Sequence, residues 1–170
     1  MILLFPGSFD PPHLGHLDIM QRAAALAQSA GGTLLVAIAD HPEKRPFLAL
    51  NQRIALLSEL CAGNQATRIV TYRGATVHFA RHNNVTALVR GLRNPLDFEN
   101  EKSMAEVNRS HGFDTVFFMT AGVHAHLSSH LVRSAQAAGL PVDALVPPAV
   151  ARALSTAGPL AGPLAVASAT

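Results

Sequence analysis

The sequence predicts an α/β fold in which helices cover both faces of a mostly parallel sheet. Short apolar runs alternate along the chain with segments whose apolar residues recur every three or four positions, as they do in amphipathic helices. The clearest run, at residues 33–39, is continuous and contains β-branched residues, as central parallel strands do. This alternation is typical of βαβ units, whose crossover helices pack on the sheet.

Five apolar runs have the character of strands. We expect them at residues 2–5, 33–39, 69–72, 86–89 and 115–119. Pro6-Gly7 stops the first run, and the fourth ends at Arg90-Gly91.

Helices are expected between and after these strands. They should run from about residue 14 to the glycines at 31–32, at 50–61, at 77–81, at 95–109, from 128–129 onward, and near 150–154. In the second helix, Leu50, Ile54, Leu57 and Cys61 follow one another at spacings of four, three and four, which places them on one face. The fourth helix begins at Pro95, because proline is well tolerated in a first helical turn.

Length and composition indicate one globular domain. The 170 residues suit a single domain, which we expect at residues 1–156, and the uncharged, Ala-, Gly- and Pro-rich residues 157–170 read as a flexible tail. Hydrophobic residues make up 49% of the chain, which is ample for a core. Thirteen Lys and Arg against eleven Asp and Glu give too small a positive excess to predict nucleic acid or a membrane as a partner.

Cysteine content and apolar run lengths predict a cytoplasmic location. Cys61 is the only cysteine, so the chain has no intrachain disulfide, which fits a reducing compartment. We expect its thiol to pack as a small buried hydrophobe. The apolar start of the chain is too short for a signal peptide, and no run approaches the roughly 20 residues of a membrane span.

The strand order along the chain also predicts where ligands bind. In parallel sheets the ligand site lies outside the carboxyl ends of the strands. The residues that directly follow the strands should therefore line one site, and they lie at 7–9, 40–44, 90–93 and 120–129.

The first strand–helix junction has the chemistry of a phosphate site. It reads Phe-Pro-Gly-Ser-Phe-Asp-Pro-Pro-His-Leu-Gly-His from residue 5 to residue 16. Backbone N–H groups at a glycine turn and a helix start bind anions, and Gly15 lets a ligand approach the backbone closely. His13 and His16 are three positions apart, so one helical turn presents both to the same phosphates. No further ligands follow at metal-binding spacing, so we expect no metal site among these side chains.

This junction resembles the signature of the HxGH nucleotidyltransferase superfamily. The resemblance implies direct attack of an acceptor on the α-phosphate of a nucleoside triphosphate, release of pyrophosphate, and no covalent enzyme intermediate.

A second segment is similar to the phosphopantetheine adenylyltransferases. It comprises Val-Arg-Gly-Leu-Arg at 89–93, Asp-Phe-Glu-Asn-Glu at 97–101, and Asn108-Arg109. Arg90 and Arg93 follow a strand, where anions should bind, and arginine suits phosphate geometry. Asp97, Glu101, Met104 and Asn108 recur at helical spacing on one face. Arg–Glu pairs on a solvated helix face are the structural alternative.

Two shorter segments match the same family. His-Pro-Glu-Lys-Arg-Pro at 41–46 resembles the loop whose lysine reaches the phosphates in the transition state, and Lys44 matches that lysine. Leu-Ser-Ser-His-Leu-Val-Arg at 127–133 resembles the ATP-binding helix start, and serines at that place also serve as ordinary helix caps.

The resemblance implies a role for each matching residue. His16, Lys44 and Arg93 match catalytic positions. The phosphopantetheine side would be held by the set Ser8, Lys44, Arg90 and Asn108. The ATP side would be held by the set Ser8, Phe9, His13, His16, Arg93, Glu101, Ser128 and Ser129. The family also implies a Rossmann-like fold with five parallel strands, Mg2+ as cofactor, ATP and a phosphate-bearing small molecule as substrates, and a homo-oligomer, usually a hexamer.

Some positions depart from the family pattern. His130 stands where the family has a small hydroxyl residue, and residues 121–126 lack the usual aromatic residue. His13 gives the first motif the form His-x-Gly-His, which is also seen in nicotinate mononucleotide adenylyltransferases and cytidylyltransferases. Two alternatives therefore stay open: a related enzyme with another acceptor or nucleobase, and a diverged protein that binds nucleotide or coenzyme A without catalysis.

Overall fold

The computed structural model describes residues 1–41, 43 and 45–156 of the chain. Five parallel strands form one sheet in the order β3-β2-β1-β4-β5. The strands are β1 (Ile2–Gly7), β2 (Thr33–Ala39), β3 (Thr67–Tyr72), β4 (Ala87–Leu92) and β5 (Asp114–Met119). The helices are α1 (Leu14–Ser29), α2 (Leu50–Cys61), α3 (Thr76–His82), α4 (Pro95–Ser110), α5 (Ser129–Ala137) and α6 (Pro148–Thr156).

The pairing of the central strand β1 opens a cleft in the sheet. On one side β1 pairs with β2 over six residue pairs, from Ile2–Thr33 to Gly7–Ile38. On the other side its ladder with β4 covers two pairs, which involve Leu3 and Leu4. Beyond Leu4 the two strands separate, and the chain order reverses at this same place in the sheet. A crevice at such a switch point is where parallel α/β sheets bind ligands.

Apolar side chains alternate between the two faces of the sheet because side chains on a strand point alternately up and down. Leu3 and Phe5 pack in one cluster with buried residues of α1 and α2, including Ile19 and Leu57. Leu4 packs on the opposite face, in the cluster that contains the buried residues of α3. Both faces of β1 are therefore covered, which explains why its sequence is apolar without interruption.

A third apolar cluster joins α2, α5 and α6 beside the sheet. Val132 of α5, Leu56 of α2 and Leu154 of α6 are among its buried members. The backbone also ties this cluster to α1, since the Leu14 N–H donates to the Leu145 carbonyl at 3.1 Å. The Ser129 hydroxyl, at the start of α5, donates to the Pro11 carbonyl just before α1 at 2.9 Å, which brings two helix N-termini to the same edge of the sheet.

The expected α/β fold, with its five parallel strands and the helices between them, is confirmed. The bounds of β2 and α2 agree with the expected ones, and most other ends move by one or two residues. Two strands extend beyond their expected carboxyl ends: β1 continues through Pro6-Gly7, and β4 continues through Arg90-Gly91 to Leu92. Pro6 is tolerated because the β1–β4 ladder has already ended, so that side of β1 needs no further donor.

A short 3-10 helix at Gly122–His124 was not expected from the sequence. The flexible tail expected at 157–170 lies outside the described residues. No helix in the described part of the chain is both long and apolar enough to cross a membrane.

Candidate active site

A cavity of about 240 Å³ opens where β1 and β4 separate, between the first turns of α1 and α5. It lies at the carboxyl ends of the strands, as expected. Its walls are formed by residues from six parts of the chain: Phe5, Pro6, His13, Gly15, His16, Ile19, Arg90, Gly91, Arg93, Glu101, Thr120, His124, Ser128 and Ser129.

His13 and His16 form a reciprocal pair at the start of α1. His13 precedes the helix, and its Nδ1 accepts a hydrogen bond from the His16 backbone N–H at 3.3 Å. The His16 Nδ1 accepts in turn from the His13 backbone N–H, also at 3.3 Å. The two rings stack with their centroids 3.7 Å apart. Each histidine therefore satisfies a backbone donor that the helix start would otherwise leave without a partner.

The environment of these rings keeps both of them neutral. Burial, followed by the positive charge of Arg93 and by His124, lowers the pKa of His13 to about 4. Burial, followed by His13 and Arg93, lowers the pKa of His16 well below its usual 6.5. Since each Nδ1 accepts a hydrogen bond, the single ring proton must lie on Nε2. At neutral pH the pair thus offers Nε2–H donors that carry no net charge.

Glycine and threonine form the floor of the cavity. A Cβ atom at Gly91 would lie 2.2 Å from Ile19 Cδ1, so only glycine lets α1 approach β4 this closely. Gly15 faces Thr120, whose methyl group would be 3.5 Å from a Cβ there. Thr120 is buried, and its N–H donates to the Leu92 carbonyl at 2.8 Å. Gly15, Gly91 and Thr120 all line the cavity.

Two arginines enter the cavity from β4 and the residue that follows it, and each pairs with a carboxylate of α4. Arg90 pairs with Glu101 through two hydrogen bonds, of which Nη2–Oε1 measures 3.0 Å. Arg93 pairs with Asp97 at 2.7 Å (Nε–Oδ2) and 3.0 Å (Nη2–Oδ1). Arg90, Arg93 and Glu101 line the cavity, and both ion pairs are partly buried rather than fully solvated.

The start of α5 closes the far side of the cavity. Ser128 caps the helix, because its Oγ accepts from the Leu131 N–H at 3.0 Å. The Ser129 hydroxyl donates to the Pro11 carbonyl at 2.9 Å, and Arg93 Nη1 donates to the Leu127 carbonyl at 3.2 Å. The capping interpretation is thus confirmed for Ser128, whereas Ser129 bonds to the segment before α1, and both side chains also line the cavity.

Most of the sequence-predicted site residues lie together in this cavity. It brings together His13, His16, Arg90, Arg93, Glu101, Ser128 and Ser129. Ser8 is exposed beside the cavity and is not part of its wall. The Phe9 ring lies in the core, edge-on to His16 with ring centroids 5.0 Å apart, so only its backbone can meet a ligand. Lys44 lies outside the described residues.

Asn108 lies elsewhere. Its side chain is buried at the end of α4 and donates to Thr115 Oγ1 at 3.3 Å, at the amino end of β5. Helical spacing correctly places it on the face with Asp97 and Glu101, but the length of α4 carries it away from the cavity. His130 is exposed and is not among the residues that form the cavity wall.

Several wall residues were not singled out by sequence reasoning. Gly91 and Thr120 lie in the segments 90–93 and 120–129 that the strand ends predict, but their close approach to α1 is a contact that no local pattern reports. Phe5, Pro6 and Ile19 look like ordinary core residues, and they line the cavity because β1 and β4 separate. His124 belongs to the segment 121–126 that departs from the family pattern.

Comparisons with known proteins show the family of the chain. A family model described as cytidylyltransferase-like matches residues 4–135. A phosphopantetheine adenylyltransferase from Geotalea daltonii is 37% identical over 155 residues, which are 90% of this chain and 94% of that one. Its counterpart from Prochlorococcus marinus MIT 9303 is 40% identical over 91% of this chain and 97% of its own. A third, from Synechococcus sp. JA-2-3B'a(2-13), is 40% identical over 95% of this chain and 100% of its own.

The chain belongs to the phosphopantetheine adenylyltransferase family. A crystal structure described as a nicotinate-nucleotide adenylyltransferase, from Vibrio parahaemolyticus, has the same fold. It aligns with a TM-score of 0.61 at 15% identity and covers 91% of this chain and 97% of its own. The family resemblance inferred from the motifs is thus confirmed, while the roles assigned to single residues stay predictions.

The histidine pair gives this member of the phosphopantetheine adenylyltransferase family a defined pH response. Below pH 6.5 an unfolded chain protonates His13, whereas the folded protein does so only near pH 4. Proton uptake therefore favours the unfolded state, and the free energy of unfolding should fall as the pH is lowered through this window.

We expect His13→Asn to flatten that fall, because asparagine caps a helix without titrating. Between pH 7 and pH 4 the free energy of unfolding of the wild type should fall by about 3 kcal/mol more than that of His13→Asn, measured by urea denaturation. His130→Asn, which removes an exposed histidine, is the matched control. Identical pH profiles for the wild type and His13→Asn would contradict the burial of an uncharged ring.

Proposed function

We propose that the protein transfers the adenylyl group of ATP to 4′-phosphopantetheine, which yields dephospho-coenzyme A and pyrophosphate. The observation that carries the proposal is the identity of 37–40% to proteins of this name over nearly their whole length. The cavity supports it, because neutral N–H donors and arginines converge at the edge of the sheet.

We further propose a cytoplasmic location, since Cys61 is the only cysteine.

In the proposed mechanism a phosphate oxygen of the acceptor attacks the α-phosphorus of ATP, and pyrophosphate leaves. A phosphate monoester is already anionic, so the step needs no strong general base. This agrees with histidines that keep their single proton on Nε2 and act as donors. Catalysis then consists of positioning the two substrates and stabilising charge on the pentacovalent phosphorus.

His16 is the best placed donor for that charge. Its ring stacks on His13 and its edge contacts the Phe9 ring, so its orientation is fixed before a substrate arrives. A fixed donor in a buried site stabilises developing charge more than a mobile one in water, because no reorganisation is needed during the reaction.

The arginines retain donors for phosphate even while they are paired. Arg93 uses three of its N–H groups on Asp97 and on the Leu127 carbonyl, which leaves two of the five that a guanidinium has. Arg90 uses two on Glu101 and keeps three. The carboxylates hold each guanidinium in one orientation, and the remaining N–H groups bind the substrate. We propose Lys44 as a further cation that reaches the transferring phosphate.

We also propose Mg2+ as the cofactor, carried by ATP. In the described ranges no three His, Cys, Asp or Glu side chains are grouped so as to hold a metal, and the cavity carboxylate of Glu101 is paired with Arg90. Mg2+ is commonly held by substrate phosphates and water with few protein ligands. When bound, the ion would neutralise charge on the β- and γ-phosphates.

A panel of substrates tests the proposed function. We expect pyrophosphate release from ATP with 4′-phosphopantetheine, and none with nicotinate mononucleotide, with glycerol 3-phosphate, or with CTP in place of ATP. Release with another acceptor would keep the mechanism and refute the assigned substrate. If no combination in the panel releases pyrophosphate although ATP binding is measurable, the result would support a diverged, non-catalytic protein.

Replacement of His16 tests the mechanism. We expect His16→Ala to lower kcat by about 100-fold or more, with the acceptor KM changed by less than about threefold, because the donor acts on charge that develops in the transition state. His130→Ala is the control for loss of a nearby exposed histidine. Equal losses in kcat and in acceptor affinity would contradict this role.

We propose that the chain forms a homo-oligomer, a hexamer by family resemblance. Large apolar side chains are exposed on α4 and on the edge strand β5: Leu96 is 77% exposed, Met119 56%, and Met104 and Val107 50% each. The charged side of α4 faces the cavity, so the apolar side is available to a second copy.

A charge on this surface should therefore break the assembly. We expect the wild type to have the mass of several 17.9-kDa chains and Val107→Glu to have a lower mass, measured by light scattering at matched concentration. Leu140→Glu, at a leucine that is 59% exposed elsewhere, is the control. A monomeric wild type, or a Val107→Glu variant with unchanged mass, would contradict this interface.

A further inference from the structure

The segment between β5 and α5 forms one wall of the cavity, but apolar packing holds little of it. His124 lies in the cavity wall. Burial, Arg93 and His124, in that order, lower the pKa of His13, so His124 lies near that ring. Val123 is 75% exposed, and a Cβ atom at Gly122 would meet nothing within 4 Å. Apolar contacts therefore do little to fix the short 3-10 helix that carries His124.

The hydrogen bonds of this segment are local with one exception. The His124 N–H donates to the Ala121 carbonyl at 2.8 Å, and the Leu127 N–H donates to the His124 carbonyl at 3.0 Å. In the described part of the chain, the one hydrogen bond that ties residues 121–126 to a distant element runs from the Ala121 N–H to Asp18 Oδ2, at 3.2 Å. Asp18 lies on α1, so this helix holds the start of the segment.

Arg22, one turn further along α1, holds the peptide group just before the segment. Its Nη1 donates to the Met119 carbonyl at 2.6 Å. The N–H of the same peptide group, which belongs to Thr120, donates to the Leu92 carbonyl of β4 at 2.8 Å. The C=O and N–H of a trans peptide point in opposite directions, so the Met119 carbonyl points to the open side of the edge strand β5. Arg22 thus supplies the donor that a neighbouring strand would supply inside a sheet.

Asp18 and Arg22 also bond to each other. Arg22 Nη1 donates to Asp18 Oδ2 at 3.0 Å, and the guanidinium lies over the Phe118 ring, 5.2 Å from its centroid. An ion pair at this helical spacing contributes little stability by itself when it is exposed. Here the two side chains also bond to the backbone on both sides of Thr120. The pair therefore fixes the direction in which the chain leaves β5, and with it the place of His124.

We infer that Asp18 and Arg22 are positioning residues for ATP: from α1 they hold the wall segment 120–124 where the nucleotide meets it. The inference rests on the proposed function, in which His13 and His16 belong to the ATP side of the cavity. Neither Asp18 nor Arg22 is part of the cavity wall, so both act through the segment and not on the reacting atoms. Without their bonds ATP must order the segment as it binds, and that cost lowers its affinity.

Kinetics of Asp18 variants test this inference. We expect Asp18→Ala to raise the KM for ATP about fivefold or more, because binding must then order the wall segment. The KM for 4′-phosphopantetheine and kcat at saturating ATP should stay within about twofold, since the ordered complex is the same. Asp18→Asn, whose amide oxygen still accepts from the Ala121 N–H, should recover most of the loss. Glu59→Ala, which removes an exposed ion pair with Arg152, is the matched control.

Double variants test whether the side chains act through the same segment. Arg22→Ala should also raise the KM for ATP, and the two alanine changes together should raise it by less than the product of the single effects. His124→Ala should raise the KM for ATP in the wild type, but by less than about twofold in the Asp18→Ala background, where the ring is no longer held in place. Independent, multiplicative effects in both cycles would contradict action through one segment.

Hydrogen exchange of the full chain gives a second readout that does not need activity. The backbone amides of residues 121–125 should exchange about tenfold faster or more in Asp18→Ala than in the wild type, while those of the central strands β1 and β2 keep their rates. If Asp18→Ala does not fold, Arg22→Ala serves for the same measurement, because the Arg22 side chain is 44% exposed. Unchanged exchange of this segment in a folded variant would overturn the inference.

The outcomes separate this inference from the proposed function. The dissociation constant of ATP, measured by calorimetry without an acceptor, should rise in Asp18→Ala as the KM does. An inactive wild type whose ATP affinity still falls in Asp18→Ala would refute the proposed reaction and leave the role of Asp18 intact. Unchanged ATP affinity in a folded Asp18→Ala, an equal rise in the acceptor KM, no recovery by asparagine, or a wild type that does not bind ATP would overturn the role of Asp18 and Arg22.

Discussion

The reciprocal hydrogen bonds between His13 and His16 are the constraint on which the rest of the site depends. The Nδ1 of each ring accepts a hydrogen bond from the backbone N–H of the other residue, so the bonds that begin α1 also determine which nitrogen carries the proton. Burial then keeps the rings uncharged. The placement of the two rings at the buried start of α1 thus determines the helix start, the tautomer of each ring and its charge. A site built in this way presents N–H donors to phosphate without placing two buried positive charges side by side, which burial would disfavour.

The sheet supplies the space into which these donors point. Because the β1–β4 ladder ends at Leu4, the carboxyl ends of the two strands separate, and α1 approaches β4 across Gly91. Positive charge is then distributed in two ways around the opening. Arg90 and Arg93 are neutralised by carboxylates of α4, whereas Arg53 of α2 lies without a described ionic partner behind the β1–α1 turn, where its Nη1 donates to the Ser8 carbonyl. A phosphate that enters the site therefore meets donors already held in place.

Local patterns explain how much of this the sequence reveals. The uninterrupted apolar run of β2 and the apolar spacing in α2 define those elements to the residue, because each signal is complete within the element. The motif at 5–16 and the arginines at 90 and 93 identify the site, since the carboxyl ends of parallel strands meet at one edge. What the sequence leaves open depends on contacts between distant segments. Gly91 matters because of Ile19, Arg53 because of Ser8, and Asn108 misses the cavity because α4 is long enough to carry it to the amino end of β5.

The protonation state of the histidine pair is the most direct test of this account. Long-range ¹H–¹⁵N correlation spectra of ¹⁵N-labelled protein distinguish Nδ1–H, Nε2–H and doubly protonated imidazole rings. We expect His13 and His16 to carry their single proton on Nε2 at pH 7, and His13 to keep that state down to near pH 5, with assignments made by comparison with His13→Asn and His16→Gln. Doubly protonated rings at pH 7, or protons on Nδ1, would show that the rings do not cap the helix as neutral acceptors. The proposed basis for phosphate recognition would then be wrong.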